Sequence, residues 1–148
     1  MKARTRARGI ALQALYEIEI SNHKVGMVIS NRFEEEEISD ELKEFCRQIV
    51  SGILPIRSDL DIVIAKYAPD WPFDQVAAID RNILRIAVWE LTVIGDTPLK
   101  VIINEAVELA KLFGSDAAPR FINGVLGSLV DHQNEVSQVI NSKTKGTD

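Results

Sequence analysis

Apolar side chains return every three or four residues along nearly the whole chain, and strand-like alternation is absent. That period places one apolar stripe on a helix and leaves no two-residue pattern for a sheet. The spacing predicts a helix over residues 5–20 and a short one over 25–33, ending before the acidic run Glu34, Glu35, Glu36 and Glu37. Ser39 reads as an N-cap, with Asp40 and Glu41 suited to the first turn and Leu42, Phe45, Cys46, Ile49, Val50 and Ile53 following in phase. Ser58 reads as the cap of a helix carrying Leu60, Val63, Ile64 and Tyr67, closed by the proline-bounded turn at 68–72. The most apolar helix is expected over 73–94, with Val76, Ile79, Ile83, Ile86, Ala87 and Val93 central to the core. Thr97 as N-cap and Pro98 at the first helical position start the next. Gly114 is placed for a left-handed C-terminal position.

Asn123-Gly124 between apolar residues is a hairpin signal. Phe121, Val125 and Leu129 recur every four residues, and this favours a helix. Glycine costs about 1 kcal/mol there relative to alanine. Gly124 and Gly127 are therefore expected to admit another helix closely. The reading is an all-α fold: a single helical domain over 1–134, a basic arm over 1–8, and a polar, flexible tail over 135–148 that is disordered from Lys143.

The 148 residues fit one domain with a sizeable core, at 46% hydrophobic and 26% charged. No apolar run reaches the roughly 18 residues of a membrane span. The basic start is not followed by an apolar signal core, since Gln13, Glu17 and Glu19 interrupt it. Cys46, the single cysteine, cannot form an internal disulfide and reads as a buried free thiol, compatible with a reducing cytoplasm.

Catalytic signatures are missing. There is no phosphate-binding glycine loop, dinucleotide fingerprint or nucleophile elbow. One cysteine with two histidines, His23 and His132, excludes a Cys-His zinc site, and both histidines read as solvated. Glu105 and Glu108 share a helix face without the histidine partner of a carboxylate metal site. Glu108 is expected to pair with Lys111, and Glu105 to bond a neighbouring helix end. The expectation is a protein that is not an enzyme and holds no metal or cofactor.

Charge is the functional clue. Four of seventeen basic residues, Lys2, Arg4, Arg6 and Arg8, lie in the first eight positions. The other thirteen face twenty-two acids, so a plus-four arm adjoins a minus-nine body. A helix N-terminus disfavours cations, so an anionic ligand explains the arm better than stability does. Arg4 and Arg8 continue the stripe of Ala11, Leu15 and Ile18, and burying unpaired charge is costly. The first turn should therefore overhang or unwind, leaving the guanidinium groups free to grip phosphate. Tyr16, off the main stripe, could stack a base beside them. A solvated terminus and a half-buried core tyrosine are the competing readings.

Four blocks then carry a family resemblance: residues 6–17, 84–91, 101–111 and 120–126. In order, they resemble the bacterial transcription antitermination factors of the NusB family. The resemblance implies an all-α fold of about seven helices in two packed subdomains. It implies binding to single-stranded boxA RNA of ribosomal RNA leaders, together with NusE, a small-subunit ribosomal protein, in a cytoplasmic RNA polymerase antitermination complex. Lys2, Arg4, Arg6, Arg8, Tyr16, Arg120 and Phe121 are the implied RNA contacts. Tyr67, Asp80, Arg81 and Arg85 are the implied partner contacts, and a homodimer is also compatible. The module also resembles the RNA-binding domain of ribosomal-RNA cytosine methyltransferases, which would need a following cofactor-binding domain. A helical adaptor that binds protein alone is the third reading.

Overall fold

A computed structural model describes residues 2–145, with side chains through 142. Among these residues it is all helical: α1 (Ala3–Ile20), α2 (Val25–Glu35), α3 (Asp40–Ile53), α4 (Arg57–Tyr67), α5 (Ala78–Trp89), α6 (Leu99–Phe113), α7 (Ala118–Val130) and α8 (Gln133–Lys145). The first three helices form one subdomain, in which α1 packs along α3. The second is built from α4 to α8, with α6 along α7. Within the second, α5 reaches both subdomains, touching α1, α3, α4, α6 and α7. Its Ile83, Leu84, Ile86 and Val88 are at most 2% exposed, so residues from more than one face of this helix are buried.

Local chemistry explains several boundaries. Ser39 caps α3, its hydroxyl accepting from Leu42 N at 3.2 Å, with Asp40 and Glu41 in the positive first turn. α3 passes through a 3-10 turn, Leu54–Ile56, directly into α4, so Ser58 lies inside α4 rather than capping it. Phe73–Gln75 is a separate 3-10 turn, and Val76 and Ala77 are extended. The central helix therefore starts at Ala78, and Val76 is half-buried instead of central. At its other end the ladder widens into a π turn, Glu90–Ile94. The extra residue shifts the helical phase, leaving Val93 38% exposed where the plain period put it in the core.

Other expectations are corrected. Pro98 is the N-cap residue of α6, with Thr97 before it. Gly114 is extended (φ −93°), not left-handed; a Cβ there would lie 2.6 Å from that of Ala118. In α7, Gly124 only borders Trp71, and Gly127 faces nothing within 4 Å, so neither admits a close helix. That role belongs to Gly52, where a Cβ would lie 2.5 Å from the indole nitrogen of buried Trp89. Glu108 and Lys111 form no ion pair among the described residues.

The largest correction is the tail. Residues 135–145 belong to α8 rather than to a flexible segment. Val136 and Ile140, four apart, are fully buried, and α8 packs on α4 and the π turn. So narrow a stripe in a polar stretch still anchors a helix once a hydrophobic surface is waiting for it. Of the segment expected to be disordered, residues 146–148 lie outside the described residues.

Candidate nucleic-acid interface

The arm is not an overhang. Helix α1 is formed from Ala3, and the Arg8 side chain is 6% exposed. Its Nε donates to Glu90 Oε1 at 3.0 Å, Nη2 lies 2.9 Å from the same oxygen, and Nη1 lies 3.5 Å from Glu105 Oε2. Thr5 Oγ1 donates to Glu105 at 2.7 Å, which fulfils the expected bond from Glu105 to a neighbouring helix end. Arg8 therefore ties α1 to the π turn and α6, and its guanidinium is not free for a ligand. The expectation failed because Glu90 and Glu105 supply partners from eighty or more residues away.

The other cations remain accessible to different degrees. Lys2 and Arg4 are exposed and form no ion pair among the described residues. Arg4 lies over the Phe45 ring, 4.0 Å from its centroid. Arg6 is held by Glu36 Oε2 at 2.8 Å and donates to the Glu37 carbonyl at 3.0 Å. A cleft of about 550 Å³ runs beside the arm, lined by Lys2, Arg4, Pro98 and Val101, with Asp96 and Glu105 on its acidic edge. Tyr16 is half-buried, farther along the same helix.

The C-terminal candidates lie elsewhere. Arg120 is exposed and unpaired among the described residues. Phe121 is half-buried and meets Trp71 edge to face at 6.1 Å. Both rings line a pocket of about 360 Å³ with Pro72, Val76, Ala118 and Asp80. Asp80 is 9% exposed and accepts no hydrogen bond among the described residues. Burial pushes its carboxyl above the usual aspartate value. The structure thus brings Phe121 and Asp80, expected on separate RNA and partner surfaces, to one pocket. Trp71, read from the sequence only as part of a turn, completes it.

Arg85 and Arg81 are structural in this state. Arg85, its side chain 4% exposed, forks onto Asp61 at 2.7 and 2.8 Å and reaches Glu19 at 2.7 Å. Arg81 donates to Glu19 at 3.2 Å and to the Val76 carbonyl. Burial would raise the Glu19 carboxyl, but bonds and charge from Arg85 and Arg81 outweigh it and hold the group below its usual range. Arg85 is a buried brace between α1, α4 and α5. Its network floors a cleft of about 630 Å³ edged by Asp74, Phe73 and Ile62, the last 65% exposed. Ile62 was detectable as the apolar residue out of phase with Leu60, Val63 and Ile64. Glu19 and Asp61 carried no such signal. Tyr67 is half-buried, its ring 5.1 Å from that of His132.

No described helix is long and apolar enough to cross a membrane. The description "NusB family" fits residues 5–131. The chain belongs to the NusB family. It is 46% identical over 134 residues to the transcription antitermination protein NusB of Roseiflexus sp. (strain RS-1), covering 89% of this chain and 94% of that protein. Over 129 residues it is 43% identical to the Bacillus pumilus (strain SAFR-032) protein of the same name, covering 87% and 95%. The role named for these relatives is antitermination of transcription, not catalysis. Among solved structures, T. maritima NusB matches with a TM-score of 0.77 and 28% identity, covering 93% of this chain and 92% of that one. A crystal structure of antitermination factors NusB and NusE in complex with double-stranded RNA matches with a TM-score of 0.79 and 25% identity, covering 89% and 98%.

Proposed function

We propose that this chain is a cytoplasmic transcription antitermination factor that binds single-stranded boxA RNA of ribosomal RNA leaders with NusE and joins an RNA polymerase antitermination complex. The observation that carries the reading is the set of accessible cations, Lys2, Arg4 and Arg6, at the edge of an acidic body. Family membership, and a relative's complex with NusE and RNA, support it. Lys2, Arg4, Arg6 and Arg120 would meet phosphates, while Tyr16 and Phe121 would offer rings to unstacked bases. Arg8 leaves the contact set because its charge is spent on Glu90 and Glu105. NusE, as the basic partner, would take the acidic and apolar side formed by Asp74, Asp80, Ile62 and Tyr67. Arg81 and Arg85 would brace that side from beneath.

The test is titration of boxA RNA and NusE, separately and together, across a range of salt. If three phosphates are neutralised, log affinity for RNA falls against log salt with a slope of roughly −2. Alanine at Lys2, Arg4 and Arg6 flattens that slope; an unchanged slope removes the arm from the interface. Asp80→Lys should cost roughly 1.5–3 kcal/mol in NusE binding. Full-strength NusE binding by that variant would move the partner surface elsewhere. Equal RNA affinity with and without NusE would remove the cooperative reading.

A further inference from the structure

Two sets of charges in this protein sit at the wrong ends of their helices. The N-terminus of α1 carries Lys2, Arg4 and Arg6 with no acid in its first turn, against the positive end of the helix dipole. The C-terminal end of α2 carries Glu34 and Glu35, followed at once by Glu36 and Glu37, against the negative end. The fold places the two sets together. Arg6 Nη2 donates to Glu36 Oε2 at 2.8 Å, and Arg6 Nη1 donates to the Glu37 carbonyl at 3.0 Å. A carboxylate and a carbonyl thus take two of the donors that a phosphate would use. The pair is also accessible, with side chains 42% and 33% exposed, so a strand can reach it. It contrasts with Arg8, itself 6% exposed, whose partners are buried Glu90 and the 15% exposed Glu105.

We propose that Glu36 is an internal competitor for RNA phosphate: it occupies Arg6 in the free protein, and a bound strand must displace it. The inference rests on the RNA-binding reading above. Its effect is to lower affinity for every single strand by the same factor, because phosphates carry no sequence. Base contacts elsewhere then decide which strands still bind.

The test uses the full chain with four substitutions: Glu36→Gln, Glu35→Gln, Arg6→Ala and the Arg6→Ala, Glu36→Gln double variant. Glu35→Gln removes the same charge from the same run without touching the contact. Each is titrated with a boxA oligonucleotide and a scrambled strand of equal length. Glu36→Gln should bind both RNAs about two- to fivefold more tightly, the range set by an exposed ion pair. Its salt slope should stay close to wild type, because Arg6 meets the same phosphate in both complexes. Glu35→Gln should gain less, and the double variant should bind like Arg6→Ala. Equal gains from Glu35→Gln and Glu36→Gln, or a gain that survives in the Arg6→Ala background, would overturn the competitor in favour of general charge repulsion. A gain confined to boxA would overturn it as a phosphate device. Wild-type RNA binding with no response to Glu36→Gln would overturn this inference alone, whereas no RNA binding by any variant would overturn the RNA reading with it.

Discussion

Arg8 and Asp80 are both charged residues that the fold buries, and they are treated in opposite ways. Arg8 is met by Glu90 at 2.9 Å and Glu105 at 3.5 Å. Asp80 has no hydrogen bond or ion pair among the described residues; it stands in the first turn of α5 and lines a pocket with Trp71 and Phe121. A buried charge with partners is part of the framework; removing one partner strands the other. A buried charge without them is a cost the fold carries, relieved by protonation or by a group that enters. The sequence gives both residues the same appearance, a charge on or beside an apolar stripe. Their environments make the first part of the framework and leave the second open to the pocket.

The largest expected effect breaks the first half of this contrast. Arg8→Ala or Glu90→Ala should lower folding stability by about 3–5 kcal/mol, the cost of an uncompensated buried charge. The paired change Arg8→Met with Glu90→Leu should restore much of it, and denaturant melts read both. The RNA salt slope of the restored variant should match wild type; a flattened slope would return Arg8 to the interface.

Phe121→Ala sharpens the second half. It should cost about 1–3 kcal/mol in RNA binding if the ring stacks on a base. Because Phe121 is half-buried, its stability loss should stay below the roughly 3–5 kcal/mol of a deleted core aromatic. A large melting shift with unchanged RNA affinity would make it a packing residue. Tyr16→Ala divides the same way on the same two measurements.

Asp80→Asn should stabilise the protein slightly near neutral pH, by less than about 1 kcal/mol, because the carboxylate still reaches solvent through the pocket mouth. The pH dependence follows from its raised carboxyl. The unfolded group ionises near 3.8 and the folded one higher, so the penalty is absent below 3.8, accumulates between the two values and is full above both. Melting curves for wild type and variant should therefore coincide in strong acid and separate as pH rises. Destabilisation at neutral pH would mean Asp80 has a structural partner after all.

The smallest effect concerns Glu19, whose carboxyl is held low by Arg85 and Arg81 despite partial burial. Its contribution is complete above the unfolded value of 4.5 and is lost as pH falls through the lower folded value. Glu19→Gln should blunt the acid limb of the stability profile and leave its shape near neutrality unchanged.

How much could be read in advance divides along the same physical line. The all-α class, the seven helices through α7, the buried Cys46 and the cap at Ser39 follow from period and local chemistry, which act within one or two turns of chain. The blocks from residue 6 to 126 likewise carried the family by order and residue type. What lay out of reach was every contact made across sequence distance. Glu90 and Glu105 hold the Arg8 guanidinium, and Glu19 with Asp61 holds that of Arg85. A surface on α4 and the π turn folds α8 on two buried residues. Trp71 and Phe121 line one pocket with Asp80. Periodicity tells which face of a helix turns inward, but the partner waiting there belongs to another helix. The energy of a charge depends on that partner, so the sequence determined where the charges stand and only the tertiary structure decided which remain free to bind.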